Sequence, residues 1–335
     1  IRNLERFFPL LNKKKSFSFY ENKYRNMFKK TPMISKNKTK GSLLNIKEIK
    51  FVKNPKNTVN LFSHELDKRI LKEPMNNGDL IKLNSIKQKI GAIIAVRLNS
   101  NRFPNKALKL INGVPSISLL IRRLKKLNEL DHIILATSTH KRDSILKKIA
   151  NAEKIDFFKG PLDNVAKRYY LASKKFKLDQ IVRVTGDAIL CDENMLKKSI
   201  KSQIEKNSDV TFIKNMPYGT AKEVMNYKTI KIISQKSIIK ENTEYLEWFL
   251  ENSRNFKVNY IYSKYKFDKS TRLTLDFKED LILFDRIFKH FNDKHAKFDL
   301  NQVLSLLNKC KSLIKINNFL TPKYKKKQIN TELNI

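Results

Sequence analysis

The chain has 335 residues, 41% of them hydrophobic, and a formal net charge of +38 at pH 7. This length can bury a sizeable core in more than one domain, and no apolar run reaches membrane-spanning length. Cys191 and Cys310, the two cysteines, lie far apart without metal-ligand spacing. They argue against a disulfide scaffold or a zinc site and predict a reduced, cytoplasmic protein.

The basic excess first suggests nucleic acid or an anionic membrane surface as the partner. Most of the 70 Lys and Arg residues are lysines, however, and they are spread along the whole chain. Proteins that read nucleic acid rely on arginines and on basic patches interleaved with aromatic residues. We therefore expect neither a membrane nor a nucleic acid, although the charge can help to recruit anionic substrates.

The amino-terminal part divides at two composition changes. Residues 1–24 are basic and irregular and indicate a linker or a fragment tail; because the chain does not begin with Met, we expect a piece of a longer protein. Residues 25–88 contain short β-type runs and turn residues, including Asn77-Gly78 between apolar runs, which predict a small β-rich domain. Residues 89–330 form the main predicted domain.

From Lys89 onward, predicted strands and helices alternate, as a parallel α/β sheet requires. The predicted strands cover residues 90–96, 132–137, 155–159, 180–185, 209–213, 257–262 and 271–275. The predicted helices cover residues 117–127, 143–150, 164–176, 193–204, 243–252, 278–291 and 300–307.

A polar loop follows the first of these strands and carries Arg97, Arg102 and Lys106. A basic loop at the carboxyl end of a buried parallel strand is where open α/β sheets bind ligands. Arg102 and Lys106 could hold a polyphosphate, with loop N–H groups adding fixed dipoles. The alternative is a basic surface turn in a lysine-rich protein, and the spacing alone leaves both open.

Two carboxylates follow predicted strands. Asp187 comes directly after Gly186, where a carboxylate can hold Mg²⁺ and the glycine lets a nucleotide come close. The alternative for Asp187 is a helix cap, for which Asp192 is better placed. Asp276 follows the predicted strand 271–275, and the two carboxylates meet only if both strands end at one edge of one sheet.

The loop pattern Arg-x-x-Ser-x-Arg-x-Pro-x-Lys, at residues 97–106, resembles the nucleotide-binding signature of the cytidylyltransferases that activate sugar acids. The spore-coat polysaccharide, or SpsF-like, type is the closest in pattern. Asn105 stands where glycine is usual in that family, and Asn tolerates positive φ better than most residues. Residues 182–190 (VRVTGDAIL) and 272–281 (RLTLDFKEDL) resemble two further family segments, each with a metal-binding Asp.

This resemblance implies a Rossmann-like α/β domain of the nucleotide-diphospho-sugar transferase fold, with a predominantly parallel mixed sheet. It implies Mg²⁺-dependent transfer of CMP from CTP to a sugar acid of the nonulosonic type, releasing pyrophosphate, for polysaccharide or glycan synthesis. The metal ligands would be Asp187 and Asp276, and the catalytic cations Arg102 and Lys106. The implied nucleotide contacts are Ala95, Arg97, Ser100, Arg102, Lys106, Thr137, Ser138, Arg183 and Gly186; the implied acceptor contacts are Glu223, Glu244 and Arg272.

Two further predictions concern residues near these segments. Asp163 is equally a ligand or the cap of the helix predicted at 164–176. Glu279 and Asp280 are expected to favour the start of the helix predicted at 278–291 through its dipole.

Residues 25–88 resemble a SAF domain, the antifreeze-like module at the carboxyl end of sialic-acid-type synthases. The matching positions are residues 28–31 (FKKT) and the turns at Lys40-Gly41 and Gly78-Asp79. The resemblance implies a sugar-acid synthase, upstream or separate, as a partner, and we expect a homo-oligomer. The alternative is a small β-rich linker domain without a site.

Two other functions remain as alternatives. One is a related nucleotidyltransferase that uses another nucleoside triphosphate or a sugar phosphate, which a nucleotide panel with pyrophosphate detection discriminates. The other is a non-enzymatic basic protein that binds nucleic acid, which a steep salt dependence of binding would reveal.

Overall fold

Two units make up the computed structural model of this protein, Ile1–Gln88 and Lys89–Ile335. The structure describes residues 20, 30–53, 66–67, 69–82, 85–100, 102–236, 250 and 255–321. No helix among these residues is long and apolar enough to cross a membrane.

The smaller unit contains a short antiparallel sheet over a few apolar side chains. Strand β1 (Lys30–Ile34) pairs with β2 (Ile49–Lys53), with Lys30 opposite Lys53 and Ile34 opposite Ile49. Gly78 forms the predicted turn with a φ of 94°, in the region that favours glycine. The core of the smaller unit consists of the buried residues Ile34, Leu44, Ile49, Leu66, Leu71, Met75, Ile81 and Ile86. The predicted β-rich character is confirmed for the described residues.

The larger unit alternates strands and helices in the predicted order, with small shifts at the element ends. Its strands are β3 (Ile90–Ala95), β4 (Leu110–Ile111), β5 (Val114–Pro115), β6 (His132–Ser138), β7 (Asp156–Gly160), β8 (Gln180–Thr185), β9 (Val210–Lys214), β10 (Val224–Asn226) and β11 (Val258–Tyr262). Its helices are α1 (Ser116–Leu124), α2 (Leu146–Ala152), α3 (Val165–Lys175), α4 (Glu193–Glu205), α5 (Tyr227–Lys236), α6 (Lys278–His290), α7 (Leu300–Lys309) and α8 (Lys311–Ile314).

Seven strands form one sheet in the order β11-β9-β10-β8-β3-β6-β7. Strand β10 runs antiparallel to both of its neighbours, and the other pairs are parallel. The predicted α/β architecture with a mostly parallel, mixed sheet is therefore confirmed. Strands β3 and β8 are neighbours at its centre, so the segments that follow them leave the same edge.

Strand β3 is apolar throughout because helices cover both faces of the sheet. Ala92 and Ile94 pack in a cluster with α1 and α4 residues such as Leu120 and Leu196. Ile93 points the other way, into a cluster with α3 and α5. Alternate residues of a strand face opposite sides, so a strand between two helical layers must be hydrophobic at every position.

Two helix starts in this unit test the predicted caps. Asp192 accepts a hydrogen bond from the Asn194 N–H at 3.0 Å and caps α4, which confirms the prediction for Asp192. At α3 the cap is Asn164, whose Oδ1 accepts from the Lys167 N–H at 2.7 Å. The cap alternative for Asp163 is therefore wrong.

Several regions differ from the prediction or lie outside the described residues. Residues 271–275, predicted as a strand, join no strand of the sheet and make one isolated bridge, between Tyr218 and Arg272. The short strands β4 and β5, strand β10 and helices α5 and α8 were not predicted. The helix predicted at 243–252 lies, apart from Leu250, outside the described residues.

Candidate active site

The loop after β3 is anchored by main-chain hydrogen bonds at both ends. The Leu98 N–H donates to Asp143 Oδ1 at 2.9 Å, and the Asn105 N–H donates to the Leu98 carbonyl oxygen at 3.0 Å. Asn105 has a φ of 55°, so it takes the left-handed conformation expected at a glycine position. The turn leads directly into a short 3-10 helix, Lys106–Leu108.

Asp143 anchors this loop, although the sequence reasoning did not select it. Ser138 Oγ, at the end of β6, also donates to its carboxylate. Burial tends to raise the pKa of Asp143, but these hydrogen bonds hold that pKa below its ordinary value. Thr137 and Ser138, both predicted nucleotide contacts, are fully buried. In this structure the Ser138 hydroxyl holds Asp143, and through it the loop.

Lys106 joins the two carboxylates that were predicted as metal ligands. Its Nζ lies 2.8 Å from Asp187 Oδ2 and 3.0 Å from Asp276 Oδ1. Arg102 Nη2 lies 3.0 Å from the same Asp276 oxygen. The Asp276 side chain is 1% exposed and that of Lys106 is 13% exposed, so water screens these contacts little. The structure thus brings together four residues selected from three separate segments of the sequence.

A closely packed glycine, Gly186, separates Asp187 from the end of β8. The Gly186 N–H donates to the Ala95 carbonyl oxygen at 3.0 Å, and a Cβ at Gly186 would lie 2.8 Å from Val96 Cγ2. Thr185 Oγ1 donates to Asp187 Oδ1 at 2.6 Å. The glycine therefore lets the chain after β8 pack against the end of β3, and Thr185 orients the carboxylate.

Neighbouring cations keep Asp187 ionised. Burial alone would raise the pKa of Asp187, but Lys106 and Lys222 hold that pKa well below its ordinary value. Burial alone would lower the pKa of Lys106. The charges of Asp187 and Asp276 outweigh that effect and raise the pKa above its ordinary value. Lys106 and Asp187 therefore carry opposite charges throughout the neutral pH range.

A buried polar network supports Asp276. Arg272 Nη2 donates to Asp276 Oδ2 at 2.9 Å, and Arg272 Nε donates to Asp280 Oδ1 at 3.0 Å. The main-chain N–H groups of Asp276 and Phe277 donate to Asp280 Oδ2 at 2.8 and 3.0 Å. Asp280 thus lies in the first turn of α6, as predicted, and also fixes the guanidinium. Arg272, predicted to bind the acceptor, is 1% exposed and lies beneath Asp276.

The two carboxylates meet for a different reason from the one predicted. The segment before Asp276 is held by single main-chain bonds: Leu273 N–H donates to the Tyr218 carbonyl oxygen at 2.8 Å. Leu275 N–H donates to the carbonyl oxygen of Asp187 itself at 3.1 Å. The segment therefore lies against the loop after β8, and Asp276 reaches the site without ending a strand of the sheet.

Arg183 and Glu223, predicted to contact the nucleotide and the acceptor respectively, contact each other. Arg183 Nε donates to Glu223 Oε1, and the Arg183 N–H donates to the Glu223 carbonyl oxygen at 3.0 Å, where β8 meets β10. Their side chains are 5% and 2% exposed. They form a buried ion pair between the strands. Glu244, the other acceptor residue, lies outside the described residues.

Two loop residues and one lysine complete the set. Arg97 is exposed, and Ser100 is half-buried, with its Oγ 3.5 Å from the Phe103 N–H nitrogen that donates to it. Lys222 Nζ donates to Thr185 Oγ1 at 3.4 Å. The family resemblance pointed to its neighbour, Glu223; only the fold shows that Lys222 lies on the Asp187 side.

The carboxylate pair fits a metal whose coordination a ligand completes. Mg²⁺ is usually held by one or two carboxylates together with waters and substrate phosphates. Among the described residues, no group of three or more His, Cys, Asp or Glu side chains could hold a metal. Asp187 and Asp276 already gather around one ammonium group. The donor set therefore suits a cation that shares its ligands with a phosphate group.

Comparison with known proteins gives a family match over most of the larger unit. The family model described as cytidylyltransferase matches residues 91–311. The protein MJ1063 of Methanocaldococcus jannaschii is 31% identical over 232 residues, 69% of this chain and 95% of that protein. The spore coat polysaccharide biosynthesis protein SpsF of Bacillus subtilis is 25% identical over 224 residues, 65% of this chain and 93% of SpsF.

A third relative and one solved structure extend the comparison. The 3-deoxy-manno-octulosonate cytidylyltransferase of Christiangramia forsetii is 26% identical over 154 residues, 45% of this chain and 60% of that protein. The structure of a cytidylyltransferase from Leptospira borgpetersenii superposes with a TM-score of 0.64 at 20% identity. It covers 74% of this chain and 100% of the other. This likeness establishes the nucleotidyltransferase type of α/β fold.

Proposed function

This chain belongs to the cytidylyltransferase family, and we propose that it transfers CMP from CTP to a sugar acid with release of pyrophosphate. One observation carries the proposal: Lys106 Nζ lies within 3.0 Å of both Asp187 and Asp276, and Arg102 also contacts Asp276. A related cytidylyltransferase is named for a sugar acid, 3-deoxy-manno-octulosonate. SpsF, another relative, is named for polysaccharide synthesis.

The proposed reaction is a displacement at the α-phosphorus of CTP. A hydroxyl oxygen of the sugar acid forms the new bond to phosphorus, and its proton leaves to solvent or to a base. The bond between the α-phosphorus and the bridging oxygen breaks, and pyrophosphate leaves with that electron pair. Little covalent help is needed, so positioning and charge neutralisation dominate the protein's contribution.

Arg102 and Lys106 would neutralise the phosphates during this displacement. Both side chains leave a loop that Asp143 anchors, so the cations are held before the substrate arrives. Asp187 and Asp276 would hold Mg²⁺, which when bound supplies positive charge to the α-phosphate and to the leaving pyrophosphate. Arg272 would act as a positioning residue, since it contacts Asp276 and Asp280.

The proposal also includes the type of domain that the smaller unit forms and the partners of the protein. Turns at Gly41 and Gly78, both with positive φ, support the SAF-like assignment of residues 25–88. A sugar-acid synthase, upstream or separate, a homo-oligomer and a cytoplasmic location remain predictions.

A substrate panel tests the proposed function. The protein is mixed with each of the four nucleoside triphosphates and with 3-deoxy-manno-octulosonate, N-acetylneuraminate or glucose 1-phosphate, and pyrophosphate release is measured. We expect release with CTP and a sugar acid, and none when Mg²⁺ is removed by chelation. Release with another nucleotide, or only with the sugar phosphate, would favour the related nucleotidyltransferase instead.

A further inference from the structure

The ammonium group of Lys106 lies where the two carboxylates converge. Asp187 Oδ1 accepts from Thr185 Oγ1 at 2.6 Å, and Asp276 Oδ2 accepts from Arg272 at 2.9 Å. The other oxygen of each carboxylate contacts Lys106 Nζ, at 2.8 and 3.0 Å. The oxygens that converge, and that could share a cation, are therefore the ones that Lys106 already binds.

We infer that Lys106 competes with a divalent cation for these two oxygens, and that the triphosphate relieves the competition. A cation held between Asp187 Oδ2 and Asp276 Oδ1 needs the space and the lone pairs that the ammonium group uses. The ammonium group of Lys106 gives up the two carboxylates when it can pair with another anion, and a triphosphate bound at the same loop provides that anion. This inference rests on the proposed function, because it takes CTP and Mg²⁺ as the ligands.

Competition of this kind couples the two ligands. Each phosphate group that draws Lys106 away raises the affinity of the carboxylates for metal, and by linkage the metal raises the affinity for the nucleotide by the same factor. The metal alone should then bind weakly. Lys106 thus has two roles in the proposal: it occupies the metal position when it binds the carboxylates, and it binds phosphate when it leaves them.

Lys222 provides a matched control for the general effect of charge. Both lysines lower the pKa of Asp187. Lys106 touches both carboxylates, whereas Lys222 Nζ donates a hydrogen bond to Thr185 Oγ1, at 3.4 Å. Removing either lysine makes the site more negative, but only removal of Lys106 takes the ammonium group off both converging oxygens, leaving Arg102 as the cation on Asp276 Oδ1. A difference between the two variants therefore measures the competition itself.

The test is a titration with Mn²⁺, in the absence of nucleotide, followed by the electron paramagnetic resonance signal of free Mn²⁺. We expect Lys106→Met to bind Mn²⁺ about tenfold or more tightly than the wild type, a change of about 1.4 kcal/mol or more. Lys222→Met should stay within about threefold. Lys106→Arg, which keeps a cation between the carboxylates, should resemble the wild type. Adding Asp187→Asn to Lys106→Met should remove the gain, which assigns the Mn²⁺ to these carboxylates.

Two results would overturn the inference: equal Mn²⁺ affinity in Lys106→Met and wild type, or an equal gain in Lys222→Met. If Lys106→Met fails to fold, Lys106→Gln, which keeps a polar contact without the charge, gives the same comparison. The titration needs no turnover, so it stands even if cytidylyl transfer is not found. Conversely, an active enzyme with unchanged Mn²⁺ affinity would remove this inference and leave the proposed function in place.

Discussion

Arg272 lies directly beneath Asp276, with its Nη2 2.9 Å from Asp276 Oδ2. The same guanidinium contacts Asp280 at 3.0 Å, and all three residues are at most 1% exposed. Two carboxylates and one guanidinium thus share a site with little water. The orientation of Asp276 toward Lys106 depends on this arrangement.

We predict that Arg272→Met lowers the free energy of unfolding by about 3–5 kcal/mol, because it leaves buried carboxylates without their counter-charge. Urea unfolding measures the loss. Lys289→Met is the control, since Lys289 pairs with Asp285 on the surface with 63% of its side chain exposed. Its removal should cost about 0.5 kcal/mol or less. Similar losses in both variants would mean that Arg272 does not hold the network together.

The two cysteines should differ sharply in reactivity. Cys191 is fully buried, and burial raises the pKa of its thiol to about 12, whereas Cys310 is exposed. Because the thiolate is the reactive form, Ellman's reagent should modify one thiol in the native protein and two after unfolding in guanidinium. Rapid reaction of two thiols in the native protein would show that the core around α4 opens readily.

The larger unit should fold by itself. It forms its own sheet and its own hydrophobic clusters within Lys89–Ile335. A chain that begins at Ser85 should therefore unfold cooperatively on heating, as followed by circular dichroism, and should retain pyrophosphate release. Aggregation or complete inactivity of this shortened chain would argue for one integrated domain.

Much of the fold could be predicted because local patterns determined it. The apolar run of β3 predicted a buried strand, and the turn at Asn105 followed from a residue type that tolerates positive φ. Strand β10 has three residues, Val224–Asn226, which is too short for any period to appear. Residues 271–275 alternate like a strand, yet extended chain held by single bonds gives the same pattern.

The contacts of the site could not be predicted in this way. Lys106 reaches Asp187 across 81 residues and Asp276 across 170, and Arg183 pairs with Glu223 across 40. The residue types indicated the chemistry. Which cation pairs with which carboxylate depends on the packing of β3, β8 and the segment before Asp276. Sequence reasoning therefore named the cations and the carboxylates without showing that they bind one another.

Lys106 should contribute more to CTP use than a neighbouring lysine of the same loop region. Charge-assisted hydrogen bonds contribute about 1.5–3 kcal/mol each, so Lys106→Met should lower kcat/KM for CTP by about tenfold to a hundredfold. Lys109 is exposed, with Nζ 5.6 Å from the Phe103 ring centre, and Lys109→Met should change kcat/KM by less than about threefold. Equal losses in the two variants would mean that the loop acts only as a diffuse positive field.

The central claim is that Asp187 and Asp276 form the metal-dependent centre of a cytidylyltransferase. The most direct measurement is Mg²⁺-dependent pyrophosphate release from CTP and a sugar acid by Asp187→Asn, compared with wild type and with the control Glu205→Gln, whose side chain is 61% exposed. The amide keeps the shape and loses the charge, so we predict a loss of about a hundredfold or more in Asp187→Asn and little change in Glu205→Gln. Turnover of Asp187→Asn within a few-fold of wild type would contradict the account.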